Sequence, residues 1–333
     1  MSAGSVSKFC IQFASLLLAC GLSAGMISVA TAQTSYPGKP IRFITPFAAG
    51  GSTSVLARIV GQKMTETWGQ QILVDNRPGG NTLIGAEALA RSAPDGYTIM
   101  LASINHAINP LLIPNWPYDP VRDFASVSLL GSSEYMLALN NAVPAGNLQE
   151  FIAYAKVRPG QLNYASPANG GPGHLAGELF NIRAGVKMVH IPYKGAGPAI
   201  TDLVGGQVQL SFVVPLNVIS LIKAGKLKAI AVSGKNRMSS LAQMPTFTEA
   251  GLPNFEPTIW FGVIAPVGTP KLIIDKLSVE IGRILSLPDV KDNLDSQGID
   301  SSPSTPEQFD ARIRSDMIKF SQVIKAANIK IDN

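Results

Sequence analysis

Ile41-Arg42-Phe43-Ile44-Thr45-Pro46-Phe47-Ala48-Ala49-Gly50-Gly51-Ser52-Thr53-Ser54 decides the fold. The run from Ile41 to Phe47 is apolar enough for a buried strand. From Ala48 to Gly51 no side chain can hold a ligand off the backbone. Ser52, Thr53 and Ser54 are cap-type residues, and Val55, Leu56, Ile59, Val60 and Met64 then fall at helical spacing up to Trp68. A strand, a small-residue turn and a helix start bring free N–H groups to the positive end of a helix dipole. That is a site for an anion.

The same scheme recurs along the chain. Gln71 to Val74, Tyr97 to Ala102 and Phe124 to Leu130 read as strands, with helices over Thr82 to Ala90 and from Ser103 onward. Tyr135 to Leu139 is extended, and the proline-containing turn Asn140 to Gly146 marks a crossing into a second domain. There the alternation restarts. Leu162 to Ala165 is a strand, Ser166 to Gly173 a Gly-rich turn, and His174 to Ile182 a helix. Trp260 to Ala265 returns to the first domain, and helices over Lys271 to Leu285, Val290 to Ser296 and Glu307 to Ala327 close the chain. The expected fold is α/β and two-lobed, each lobe a mostly parallel sheet flanked by helices. Residues 33–138 and 256–333 form one lobe and 139–255 the other. Ligands of such sheets bind where strands end and helices begin, which sets the 47–54 turn against the 166–174 turn.

At 333 residues, with 46% apolar and 15% charged residues, the chain has ample core for two domains. Residues 1–32 read as a signal peptide, with Lys8, an apolar region from Phe9 and the small-x-small pattern Ala30-Thr31-Ala32 before Gln33. Leu17-Leu18-Ala19-Cys20 is a weak lipobox-like alternative. Both cysteines, Cys10 and Cys20, fall in this leader, so an exported chain would carry no disulfide. Losing Lys8 lowers the net charge from +5 to +4. The remaining Lys and Arg residues are scattered, which gives nucleic-acid binding no support.

The sequence is poor in catalytic patterns. His106, His174 and His190 make no metal spacing. His190 reads as strand packing, while His106 and His174, at strand-to-helix turns, are open to packing or to a place in the cleft. No nucleophile elbow or phosphate-binding loop occurs, and Asp75 is the nearest acid a dinucleotide site could use. No metal and no cofactor are expected. Two Gly-rich turns, each with Ser, Thr or Asn and each opening a helix, suit a carboxylate held by hydrogen bonds.

Several stretches together resemble the extracytoplasmic solute-binding proteins of tripartite tricarboxylate transporters, often called the Bug family. They include Pro46-Phe47-Ala48-Ala49-Gly50-Gly51, Asn76-Arg77-Pro78-Gly79-Gly80, Pro94-Asp95-Gly96-Tyr97-Thr98, His106-Ala107-Ile108-Asn109-Pro110, Gly173-His174-Leu175-Ala176-Gly177-Glu178 and Val189-His190-Ile191-Pro192-Tyr193-Lys194-Gly195. The likeness runs from about Tyr36 to the C-terminus. It implies a type II-like periplasmic clamp for a small carboxylate, delivered to the transporter's membrane subunits. It also implies one carboxylate held at Phe47, Ala48, Ala49, Gly50, Ser52 and Thr53, facing Ser166, Asn169, Gly170 and His174. Ser103, Tyr193, Lys194 and Asn217 are the candidates for the distal end. The family's pattern GGxxDxxAR has an acid where this chain has Ser54, so a ligand without an ammonium group, such as a dicarboxylate, is expected. The expected protein is a periplasmic monomer and not an enzyme. An exported α/β hydrolase would need an acid–base or nucleophile pair in the cleft, and a ligand sensor for a membrane kinase would share every feature read here.

Overall fold

The structure is a computed structural model that describes residues 36–327, except 235, 239, 240, 254 and 256. The expected leader, its cleavage site and Cys10 and Cys20 lie outside the described residues. The chain begins β1 (Ile41–Thr45), α1 (Ser52–Trp68), β2 (Ile72–Asn76), α2 (Leu83–Ala90), β3 (Thr98–Ser103), α3 (Asn105–Leu112) and β4 (Phe124–Glu134). It continues β5 (Met136–Asn140), α4 (Leu148–Lys156), β6 (Asn163–Ser166), α5 (Pro172–Ala184), β7 (Val189–Pro192), α6 (Ala196–Val204) and β8 (Leu210–Val213). It ends α7 (Ile219–Lys223), β9 (Leu227–Val232), β10 (Thr258–Pro266), α8 (Lys271–Leu285), α9 (Pro288–Ser296), β11 (Ile299–Ser301) and α10 (Pro306–Ala327).

Two sheets result, in the orders β11-β4-β10-β3-β1-β2 and β7-β6-β8-β5-β9. The alternation of strand and helix predicts mostly parallel sheets, but both are mixed. β1 is parallel to β2 and β3, because α1 and α2 carry the chain back each time. β10 is antiparallel to β3 and β4, and β5 to β8 and β9. These are the strands at which the chain leaves one sheet for the other, so no helix reverses it first. β4 also runs on to Glu134, past the expected end at Leu130. Gly131 reads like a turn residue, yet here it lets β11 approach: a Cβ on it would lie 2.4 Å from the Asp300 carbonyl oxygen.

Only Tyr135 separates β4 from β5, so a single residue carries the chain between the sheets. β10 returns beside it, with Thr258 opposite Glu134. Ser233, buried after β9, ties the two crossings together. Its Oγ accepts from the Tyr135 N–H at 2.8 Å and lies 2.5 Å from the Pro257 carbonyl oxygen.

Each sheet has its own apolar filling. Ile41, Phe43, Leu56, Val60 and Met64 are fully buried where α1 covers β1 and β2. Trp260 packs edge-on to Phe309 at 5.2 Å, and its Nε1 donates to Asp316 Oδ2 at 2.8 Å. In the second half Phe180, Phe212, Phe247 and Phe255 form a chain of ring contacts, with Phe247 and Phe255 4.5 Å apart. Such rings dominate core energetics. One backbone strain stands out: β-branched Thr82 takes φ +79°. Asn109 Nδ2 holds the segment, donating to the Asn81 carbonyl at 2.5 Å and to Thr82 Oγ1 at 3.0 Å.

Candidate functional site

The turn after β1 is braced from the neighbouring strand. Asn76, the last residue of β2, donates from Nδ2 to Thr45 Oγ1 at 2.5 Å and to the Phe47 carbonyl at 2.9 Å. Its Oδ1 faces Ser54 Oγ at 3.4 Å. Ser54 is therefore buried behind the turn, pointing at β2, and is absent from the cavity wall. Ser52 and Thr53 do line the cavity, with Phe47 and Gly51. Gly50, at φ +86°, has open space around it. Ala48 and Ala49 meet the facing half instead. The Ala48 N–H donates to the Lys194 carbonyl at 3.4 Å, and a Cβ on Gly197 would lie 3.0 Å from the Ala49 carbonyl oxygen.

The turn after β6 is braced from beneath by its own helix. His174 Nδ1 accepts from the Gly170 N–H at 2.9 Å, so its proton is on Nε2. His190 stacks on it at 3.7 Å with the planes 9° apart. Ser166 Oγ donates to the Ala168 carbonyl at 2.8 Å and accepts from His190 Nε2 at 2.6 Å. Tyr164 OH donates to Glu178 Oε1 at 2.7 Å. Burial lowers the pKa of His174 against an opposing effect of Glu178. Burial, then the neighbouring His174, pushes His190 down to about 3. Both imidazoles are neutral at ordinary pH. Ser166, Gly170 and His174 thus shape the turn from below, and Ala168, Gly171, Pro172 and Gly173 present it to the cavity. His106 is elsewhere: its Nε2 contacts the Pro120 carbonyl at 2.9 Å, its ring meets Phe124, and burial lowers it to about 4.

Between the turns lies a cavity of about 40 Å³. Four helices start at it: α1 through Ser52 and Thr53, α3 through Asn105, α5 through Pro172 and Gly173, and α6 through Ala196. None of the four has a side-chain cap. Their other first-turn N–H groups are left for a ligand, although Pro172 and Pro198 supply none and the Ala107 N–H is taken by the Ile104 carbonyl. No Asp, Glu, Lys, Arg or His lines the cavity among the described residues. Phe212, Val213, Val214, Ile259 and Phe261 make an apolar wall, and Tyr135, from the crossing, adds a phenol that burial keeps protonated.

Of the residues expected at the distal end, Ser103 and Asn217 line this cavity. Tyr193, Lys194 and Asn169 line an adjoining outer groove of about 320 Å³, which shares Phe47, Pro167 and Ala168 with it. Tyr193 is turned there because its OH donates to Asp202 Oδ2 at 2.7 Å. Asn105 is the residue that sequence reasoning passed over. It sits two places after Ser103, whose Oγ donates to Asn105 Oδ1 at 3.0 Å. Its position at a strand-to-helix switch was the available signal. Among the described residues no cluster of three or more His, Cys, Asp or Glu could hold a metal, and no helix is long and apolar enough to cross a membrane.

Residues 56–329 match the profile of the tripartite tricarboxylate transporter family receptor, TctC. Protein BugT of Bordetella pertussis is 36% identical over 311 residues, covering 93% of this chain and 95% of that protein. A solved structure of R. palustris Rpa4515 with adipate superposes with a TM-score of 0.87 at 32% identity, covering 89% of this chain and 99% of the other. MatC from Rhodopseudomonas palustris with bound malate gives 0.82 at 30% identity, covering 87% and 100%. The chain belongs to the tripartite tricarboxylate transporter receptor family, whose members are periplasmic solute-binding receptors and not enzymes.

Proposed function

We propose that this receptor captures a small dicarboxylate without an ammonium group between its two sheets and delivers it to the membrane subunits of a tripartite tricarboxylate-type transporter. The observation that carries the reading is the meeting of four uncapped helix N-termini at a cavity with no charged side chain. Each N-terminus is worth about +0.5 of a charge, so four supply about two, the charge of a dianion. An ammonium group would meet that potential with no acid to offset it. Solved relatives that hold adipate and malate support the same class.

Phe47, Ser52 and Thr53 are the proposed carboxylate contacts from the first turn, with Asn217 toward the distal end and Ser103 acting there through Asn105, to which its hydroxyl donates. Ala48, Ala49 and Gly50 shape the edge where the halves meet, and Ser166, Asn169, Gly170 and His174 set the facing turn. Lys194 and Tyr193 line the outer groove, where an exposed cation favours the approach of an anion. The lobes are proposed as residues 33–138 with 256–333, and residues 139–255, with the first boundary moved back to Tyr135 because β5 already pairs in the second sheet. A water needs 10–15 Å³ of such volume, so 40 Å³ holds about three. A dicarboxylate therefore enters only when the sheets part, and the crossing at Tyr135 and Ser233 supports a hinge there. Cleavage near Ala32 would release the chain to the periplasm, where it is proposed to act as a monomer.

A thermal-shift panel of dicarboxylates, monocarboxylates and amino acids tests this. A cognate dicarboxylate at 100 times its Kd is expected to add about 2.7 kcal/mol. An amino acid that binds more tightly than every dicarboxylate would sink the proposal.

A further inference from the structure

Two buried polar atoms at the cavity have no partner, and they have opposite needs. Asn105 Nδ2 is a donor without an acceptor, on a residue 3% exposed. Asn217 Oδ1 is an acceptor without a donor, on the residue that ends the short helical turn Pro215–Asn217 after β8. Both residues line the cavity, one from each sheet's half of the chain. Leaving such groups unpaired is costly, so at the cavity each calls for a partner that a ligand or an ordered water supplies.

We infer that Asn105 and Asn217 read the ligand as a pair: Asn105 Nδ2 donates to a carboxylate, and Asn217 Oδ1 accepts from a hydroxyl on the same ligand. The orientation of Asn105 is set by Ser103, whose Oγ donates to Oδ1 and leaves Nδ2 as the free end. Nδ2 also lies at the helix N-termini, where negative charge collects. A Cβ on Gly171 would approach it to 3.1 Å, so the donor is brought against the facing turn. At Asn217 the ligand must present a donor. An ammonium would serve by hydrogen bonding alone, but the cavity holds no acid and four positive helix ends. A hydroxyl is the neutral donor that meets both conditions. The inference rests on the dicarboxylate-receptor reading above and adds to it a hydroxyl requirement and the two residues that impose it.

The test uses protein purified from the periplasm and two matched sets of ligands. Succinate, malate and aspartate share one skeleton and carry hydrogen, hydroxyl or ammonium beside a carboxylate. Glutarate, 2-hydroxyglutarate and glutamate repeat the comparison one carbon longer. Calorimetry is expected to show the hydroxy acid binding about tenfold more tightly than its parent in at least one set, the worth of one net hydrogen bond. Asn217→Leu should erase that difference, and Asn105→Asp should abolish binding of all six while the melting curve stays cooperative. Parent acids that bind as tightly as their hydroxy acids in both sets overturn the inference alone, because a water then satisfies Asn217. Tightest binding of aspartate or glutamate, or no binding in either set together with no dicarboxylate hit in the thermal-shift panel, overturns the ammonium-free dicarboxylate reading as well.

Discussion

The turn after β1 and the turn after β6 both run from a buried strand into a helix whose N-terminus is left uncapped. What holds them differs. The first hangs on one neutral amide, Asn76, reaching over from β2. The second rests on its own helix and strand, through His174, His190, Ser166 and Tyr164. The first brace has no titrating group in it. The second works only while two stacked imidazoles stay neutral. Equivalent anion-binding turns can therefore respond differently to acid, and this can be used to separate them.

Acid is expected to be the largest perturbation. His106 and His190 have folded pKa values pushed down to about 4 and about 3, and His174 is lowered too, in each case first by burial. The unfolded chain, with histidines near 6.5, then binds protons before the folded one does. Stability is complete above about pH 6.5 and falls as pH drops toward the folded values, at about 1.36 kcal/mol for each pKa unit. Urea unfolding from pH 7.5 to 4.5, above the range of most carboxylates, reads this directly. Ligand affinity should fall only at the lower pH where folded His174 itself takes up a proton, because a proton on Nδ1 ends the bond from Gly170. A stability that stays flat across the urea series would show that the imidazoles are not the brace.

Gly177→Ala comes next. A Cβ there would lie 2.2 Å from the Tyr164 ring, which packs against both imidazoles and Phe212. Overpacking a closed core costs roughly 3 kcal/mol. The matched change in the first turn, Gly50→Ala, meets no atom within 4 Å and carries only the strain of φ +86°. It should cost about 1–2 kcal/mol. Equal losses in denaturant midpoint would remove the distinction between a packed turn and an open one.

How far the sequence reveals these turns follows from the same contrast. The first is legible because its cause is local: small residues, then cap-type residues, then helical spacing. The second is legible as a turn, but its brace is not. His174 and His190 are 16 places apart, and only the parallel pairing of β6 with β7, which sets His190 beside Tyr164, brings them together. The mixed sheets are hidden for a related reason, since strand direction depends on where the chain re-enters. β11, with three residues, is too short to show a period. Ser103 and Asn105 look alike in sequence as polar residues near a helix start. Which one presents its polar end to the cavity is decided by the bond between them. Ser54 departs from the family pattern visibly, yet its side chain faces Asn76, which no local spacing could reveal.

Asn76→Ala tests the first brace. It removes two donated hydrogen bonds and leaves Thr45 Oγ1 and the Phe47 carbonyl without them. A loss of about 2 kcal/mol is expected, with no change in the pH slope, because nothing titratable is removed. Chemical denaturation at pH 7.5 and pH 5 checks both parts. A changed slope would mean that the two braces are coupled.

Gly195→Ala should have a modest effect on stability and the most informative one on binding. The two halves touch where α6 starts against the first turn. A Cβ on Gly195 would lie 3.0 Å from Ala48 N and 3.1 Å from Ala48 Cβ, at a backbone φ of +131°. The contact is thin, with one long hydrogen bond from the Ala48 N–H to the Lys194 carbonyl. Neither brace includes Gly195, so each turn should keep its shape in the variant. The added methyl group acts on the seam between them, and it can be relieved by parting the halves. Parting the halves relieves the contact but not the backbone strain of φ +131°, ψ 170°, so unfolding free energy should fall by about 1–2 kcal/mol. Affinity should fall about tenfold, since a ligand that needs both turns must bring them back against the methyl group. If affinity instead holds while stability drops, the seam belongs to the folded core of the ligand-free protein and the turns do not close as a pair.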